Sequence, residues 1–402
     1  MPTAVIHLDA TELPASLHFP ARYDHVFALV SWHGRPMGHG TFPLRGGALD
    51  GELLRDGVER VAGHSITLRQ LEEWLAWEDR VQASPPSATI AVCTRDRLDD
   101  LERCLLALDT LPDDGQEVLV VDSASRDGAA VRAVAERHRG VHYVREERPG
   151  LDIARNRAMR DASGEIVVFC DDDAVVDTNW LRAMSGNFGD PRTLCVTGLI
   201  LPQELETPAQ EWFENTNSFS RGYSRVVHDG VDHDPFFVSR VGAGASMALR
   251  RSVLDILGPF DEALDAGTPT RSGGDHDYFT RILAGGYRIV YDPAALSWHR
   301  HRREWSELRS AIQGYGTGVW AYLTRQLLHG EWRASYVAFA WLRWQLDGLF
   351  RGMLGLPTQL PIDLAVSEIR GCLAGPFAYL VARRASRAPG RTGPHRAAPT
   401  EH

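Results

Sequence analysis

Four short apolar runs, separated by segments whose apolar residues recur at helical spacing, constrain this chain more than any other feature. Residues 88–93, 117–121, 141–144 and 166–170 read as buried strands, and residues 98–108, 128–138 and 151–160 as the helices between them. Strands joined through helices of that length need crossovers, which are right-handed and leave the strands parallel. The fold class expected is therefore α/β with a mostly parallel sheet. Ligands on such sheets bind beyond the carboxyl ends of the strands. Four polar clusters fall at those ends: Thr94, Arg95, Asp96 and Arg97 after the first run, Asp122 after the second, residues 145–149 after the third, and Asp171, Asp172 and Asp173 after the fourth.

Three adjacent carboxylates repel one another, so a cation is expected with the last cluster. Hard oxygen donors suit Mg²⁺ or Mn²⁺, which commonly accompany a substrate's phosphates. A solvated acidic turn is the plain alternative. The net charge of −10 over 402 residues argues against a general nucleic-acid binder. The five cysteines (Cys93, Cys104, Cys170, Cys195, Cys372) follow no CxxC spacing, so no disulfide framework or zinc site is expected, and the reducing cytoplasm is the expected compartment. The first residues lack the charged-then-apolar order of a secretory signal. No run reaches the roughly 18 consecutive apolar residues of a membrane-spanning helix.

Residues 1–85 read as a small α+β accessory module. A strand over 25–32 turns at His33, Gly34, Arg35 and Pro36 into a second strand ending near Phe42, and helices over 53–62 and 68–77 follow. A Pro- and Ser-rich linker over 83–88 leads into a catalytic domain over 86–300. Residues 301–385 are helical in pattern and rich in Trp and Arg. Their apolar segments 335–350 and 371–382 are too interrupted or too short to span a bilayer; they lie in its surface or pack on the core. A disordered basic tail is expected over 386–402.

Seven blocks occur in order between Thr89 and His299. They are the strand and polar loop ending at Arg97, the strand-end Asp122 with its turn to Gly128, the helix opening at Gly150 with Arg155, and the acidic triplet. After these come the small-residue strand from Gly242 to Arg250 with a Phe260-Asp261-Glu262 turn, the Gly273-Gly274-Asp275-His276-Asp277 segment, and, after the next strand over 287–291, Leu296-Ser297-Trp298-His299. Together they resemble the family 2 glycosyltransferases, inverting enzymes of GT-A fold that move a sugar from a nucleotide diphosphate donor. The resemblance covers roughly half the chain. It implies nucleotide contacts from Thr94, Arg95, Asp96, Arg97, Asp122, Arg155 and Asp172, and a divalent metal on Asp171, Asp173 and His299, with His301 a nearby competitor. It also implies donor-sugar or acceptor contacts from Gly244, Ser246 and Asp277, and Asp275 as catalytic base. The aromatic loop over 202–240, with Trp212, is the expected acceptor side. Plainer roles stand beside these: Asp275 is also a good helix cap, as is Asp122, and Ser246 fits simple sheet packing. The chain departs from the family at Gly274, where many members carry Glu, which leaves open how Asp275 is held.

The implied reaction is a metal-dependent single displacement from a UDP-, GDP- or dTDP-sugar onto a glycan, lipid-linked or small-molecule hydroxyl, in polysaccharide, glycolipid or natural-product glycan assembly. Residues 313–317 depart from the Gln-x-x-Arg-Trp pattern of processive synthases, so one sugar per encounter is expected. Peripheral contact with the inner face of the cell membrane is a further expectation. A nicotinamide dehydrogenase or a nucleotidylyltransferase would need a Gly-rich loop after the first strand, where residues 93–97 hold no glycine. A catalytically degenerate sugar-nucleotide-binding assembly protein is the alternative that Gly274 keeps open.

Overall fold

Apolar residues alternate through β6 (Ala88–Thr94) so that Ile90 and Val92 enter one core layer and Ala91 the other. The computed structural model describes residues 2–75, 85–354, 356 and 360–386. The expected tail beyond residue 386 and part of the expected linker lie outside the described residues.

An N-terminal unit precedes β6. It comprises β1 (Thr3–Asp9), β2 (Ser16–His18), β3 (His25–Trp32), β4 (Arg35–Pro43), β5 (Ala48–Asp50), α1 (Gly51–Val58) and α2 (His64–Trp74). The hairpin β3–β4 matches the sequence expectation. The strand β1, which lies parallel to β3, was not expected. The two expected helices are one continuous run, because a π-turn over Glu59–Gly63 joins α1 to α2. One face of this sheet packs on its own helices, while Phe27 and Leu29 on the other meet Leu199, Leu201, Tyr291 and Leu296 of the following domain. The unit is thereby docked on the central sheet.

That sheet is built from β6, α3 (Leu98–Leu108), β7 (Glu117–Ser123), α4 (Gly128–Ala135), β8 (Val141–Glu146), α5 (Leu151–Asp161), β9 (Ile166–Asp171), β10 (Ala174–Val176), α6 (Trp180–Ser185) and β11 (Thr193–Pro202). It is completed by α7 (Pro208–Asn217), β12 (Val226–Asp229), β13 (Ser246–Arg250), α8 (Val253–Leu257), α9 (Gly274–Ala284) and β14 (Arg288–His299). The nine strands run in the order β10-β14-β11-β13-β9-β6-β7-β8, with β12 paired to β14. The β9-β6-β7-β8 half is parallel, as expected. Between β9 and β11 the strand β13 runs antiparallel, with Ser246 opposite Cys170. Its amino-terminal approach, residues 242–245, therefore arrives where β9 ends in Asp171. Because β11 is antiparallel to β13 and parallel to β14, His299 at the end of β14 reaches the same edge. Helices α3, α4 and α6 cover one face; α5, α8 and α9 cover the other.

Three long helices follow: α10 (Trp305–Leu328), α11 (Arg333–Met353) and α12 (Ile362–Ser386). A reciprocal Glu304–Glu307 capping box starts α10. Close approach of α10 to α12 depends on glycines: a Cβ at Gly371 would lie 2.1 Å from the Gln313 carbonyl oxygen, and one at Gly316 2.5 Å from that of Glu368.

Candidate active site

A cleft of 1420 Å³ opens at the carboxyl edge of the sheet, and both Asp173 and Asp275 line it. One wall is the end of β9. There β10 turns back antiparallel to β14 with Ala174 opposite His299, which brings the imidazole Nε2 to 3.2 Å from Asp173 Oδ1. Single ligand atoms of Asp171, Asp173 and His299 all lie within 4.8 Å of one another. Arg97 Nη1 donates to Asp172 Oδ1 and Asp173 Oδ2, each at 3.0 Å, and Thr94 donates to Asp172 Oδ2 at 2.8 Å.

The electrostatics of this wall record a shortage of positive charge. Burial pushes the Asp171 carboxyl up to about 7, and the charge on Asp173 adds to it. Burial also lifts Asp172 to about 6 against the pull of Arg97. For Asp173 burial acts the same way, yet His299 and Arg97 outweigh it and hold the group well below the usual carboxylate range. Two carboxylates and an imidazole converging in a partly desolvated pocket fit a hard divalent cation, and the strained ionisation of Asp171 is what such an ion would relieve. His301 turns instead to Glu214, with Nε2 3.0 Å from its Oε2. Among the described residues His299 is thus the imidazole of this cluster.

The opposite wall is the start of α9. Gly273 holds φ at 103°, and a Cβ there would lie 2.6 Å from the Gly318 carbonyl oxygen, so the loop closes tightly on α10 before the helix begins. Asp275 Oδ2 accepts from the Gly244 backbone N–H at 3.0 Å, and Oδ1 accepts from the His276 backbone N–H at 2.8 Å and faces His276 Nδ1 at 3.0 Å. Burial would raise its pKa; the charge and hydrogen bond of His276, with Arg155 and the Gly244 N–H, overcome this and keep it below the ordinary range. Arg155 sits beneath, buried, donating to Asp152 Oδ1 at 3.0 Å, to Asp265 Oδ2 at 2.8 Å and to the Gly244 carbonyl at 3.4 Å. It is part of the scaffold under Asp275 as well as of the cleft lining.

Of the expected residues, Thr94, Arg95, Arg97, Arg155, Asp171, Asp172, Asp173, Trp212, Gly244, Asp275 and His299 are brought together around the cleft. Four do not line it. Asp122 is fully buried, its carboxylate accepting from Ser125 N, Tyr143 Oη and Arg145 Nη1. Asp96 points to Arg126 on the surface. Ser246 lies inside the sheet and accepts from the Trp180 indole at 3.1 Å. Asp277, one helical step past the site, is buried against Arg281, Arg325 and Gln326 and so anchors α9 to α10. Sequence reasoning missed Asp152 and Asp265 beneath the site and the α10 wall of Ile312, Tyr315 and Val319. The acidic residues carried one signal, a spacing of three from Asp152 to Arg155 on one helix face. The α10 wall carried none beyond ordinary apolar periodicity.

The parallel half of the sheet thus meets an antiparallel strand beside a carboxylate–imidazole cluster in a mixed α/β fold. Residues 89–258 match the family model for glycosyl transferase family 2. A pre-mycofactocin glycosyltransferase of Mycobacterium tuberculosis is 28% identical over 239 residues, covering 55% of this chain and 46% of the relative. The match thus spans about half the length of that curated relative. The succinoglycan biosynthesis protein ExoM of Rhizobium meliloti is 27% identical over 234 residues, covering 53% of this chain and 71% of its own. Among solved structures, a mannosyltransferase from Pyrobaculum calidifontis in complex with GDP-Man and Mn²⁺ overlays 79% of this chain and 87% of its own, with TM-score 0.48 and 24% identity.

Proposed function

We propose that this protein transfers a single sugar from a nucleotide diphosphate donor to an acceptor hydroxyl, with inversion at the anomeric carbon and with a divalent metal. The observation that carries this reading is the shared cleft: the Asp171–Asp173–His299 cluster and the Asp275 carboxylate line one cavity from different strands and helices. The match of residues 89–258 to the family 2 model supports it.

Asp171, Asp173 and His299 would hold Mg²⁺ or Mn²⁺, which supplies Lewis-acid neutralisation of a departing diphosphate. Arg97, Arg95 and Thr94 line the same side and bind and orient the donor's phosphates or base. Asp275 is the base: it takes the proton of the acceptor hydroxyl, whose oxygen forms the new bond to the anomeric carbon as the bond to the diphosphate oxygen breaks on the opposite face. Its depressed pKa keeps it ionised at neutrality. Gly244, with no side chain, lets the acceptor approach; a Cβ there would lie 2.9 Å from Asp275 Cβ. Trp212, Phe219 and Phe237 give the cleft aromatic faces for sugar rings. The acceptor, whether glycan, lipid-linked or small molecule, belongs on that side.

The test is a donor-hydrolysis screen over UDP-, GDP- and dTDP-sugars with and without Mn²⁺, followed by Asp275→Asn. Turnover that falls at least about a thousandfold while donor affinity holds is the expected result. Unchanged turnover in Asp275→Asn overturns the assignment, and donor binding without turnover in the native chain favours a sugar-nucleotide-binding assembly protein.

A further inference from the structure

Helix α11 is apolar on both sides. Only Ala334 and Gln345 of its 21 residues are buried, and they rest it on α10 and α12. At its start and on its outer side Trp332, Tyr336, Phe339, Phe350 and Met353 are 63–77% exposed, and together with Arg343 and Leu346 they recur at three- and four-residue steps. A stripe of that length on a folded protein marks a surface that meets something apolar.

Arg343 identifies what. It falls inside the stripe, between Phe339 and Leu346, and makes no ion pair among the described residues. Buried against a second copy or another protein, it would need a carboxylate from the partner to avoid being an unpaired desolvated charge, and the described residues around it are short of acid. At a lipid surface its stem lies along the apolar layer while the guanidinium reaches the phosphates. The remaining charges agree in sign. Helix α11 carries Arg333, Arg343 and Arg351 against Asp347, although Arg333 pairs with Asp234. Helix α12 carries Arg370, Arg383 and Arg384 against Asp363 and a buried Glu368. This excess stands in a chain of net charge −10. By length and composition α12 could cross a membrane, but Leu364, Gly371, Cys372, Gly375 and Tyr379 are buried, with α10 alongside, so it lies along the body and leaves Leu373, Phe377 and Val381 outward. Trp344 joins α11 to the site: it is half exposed and also lines the cleft.

We propose that α11 is a docking face for an anionic phospholipid bilayer, held by inserted aromatic side chains and arginine–phosphate contacts, and that docking sets the cleft beside the membrane surface. The proposal does not rest on the transfer reaction, and its test needs no turnover.

The full chain is sedimented with vesicles of phosphatidylcholine alone or with added phosphatidylglycerol. Binding to the anionic vesicles that weakens with salt is expected, and Phe339→Asp/Phe350→Asp should lower it by about tenfold or more. Arg343→Glu, a single change at an exposed position, should weaken anionic binding selectively. Both variants are checked for an unchanged circular dichroism spectrum and melting curve. Failure to bind anionic vesicles, or equal binding by the folded variants, overturns the proposal. So does a solution dimer of the native chain that the same double substitution dissolves, because a second copy would then be the occupant.

Discussion

Asp152 Oδ2 occupies the space that any side chain at position 274 would need: a Cβ built on Gly274 would fall 2.0 Å from it. The Asp152 carboxylate is fully buried, and that oxygen has no hydrogen-bond partner among the described residues, so it is aimed at the start of α9 rather than engaged elsewhere. Gly274 is the position at which the resemblance drawn from the sequence implied a Glu. A carboxylate brought from α5 fills that space. Gly274→Ala is therefore expected to cost about 1–3 kcal/mol by overpacking. Much of that cost should vanish in an Asp152→Gly background. Chemical denaturation of the two single variants and the double variant measures the coupling; additive costs would mean that the two positions do not compete.

His276 sets the charge state of Asp275. The imidazole is raised above its ordinary 6.5, with burial opposing and the Asp275 charge prevailing, while Asp275 is depressed below 3.8. Replacing it, as in His276→Gln, removes the cation, so the Asp275 pKa should rise and the acid limb of kcat/KM should move up by about one pH unit. Stability follows the same pair. Its imidazole part is full below 6.5 and fades as pH rises through the raised folded value. Its carboxylate part is full above 3.8 and fades as pH falls through the depressed one. The variant should thus lose most relative to the native chain between those two values, which melting curves across pH will read.

Asp171 sets function against stability. Its carboxyl, pushed up to about 7 by burial and by Asp173, is held ionised at a cost when no cation is bound. Asp171→Asn should raise metal-free stability by about 1 kcal/mol, while abolishing any Mn²⁺-dependent rise in melting temperature and weakening donor binding by at least about tenfold. Calorimetry with and without Mn²⁺ separates the two effects. A variant still stabilised by Mn²⁺ would remove Asp171 from the ligand set.

The parts of this molecule that were legible in its sequence are those that local pattern decides. The α3 boundaries Leu98–Leu108 coincide with the apolar period, and the strand ends at Thr94 and Asp171 follow from apolar runs stopping at polar residues. Pairing with distant partners was not legible. Strand β1 exists because residues 3–9 find β3 in parallel, which no local signal announces. Strand β14 continues past Asp292 and Pro293, an apparent stop, because a register shift between Gly198 and Leu199 absorbs the extra residues. At the site, residue type and position on the strand edge were readable for Asp171, Asp173 and His299. Side-chain direction was not: Tyr143 and Arg145 claim Asp122, and Trp180 claims Ser246, through contacts 20 or more residues away in the chain. Helix α10 looked like any packing helix because its cleft-facing and core-facing residues are equally apolar.

Glu368 gives α12 a pH-dependent hold on α10. It is buried on the inner side of α12, where its own carbonyl sits against Gly316, and desolvation raises its carboxyl from 4.5 to about 7. Between those values the folded chain keeps a proton that the unfolded chain releases, so stability falls as pH rises across this window and levels off above it. Glu368→Gln carries no such penalty. Relative to the native chain it should be nearly neutral at pH 4 and stabilising at pH 8, by no more than about 3 kcal/mol. Paired denaturation curves at the two pH values decide the matter. Equal differences at both would mean that Glu368 reaches water in the folded protein and that the α10–α12 seam is more open than its close glycine contacts imply.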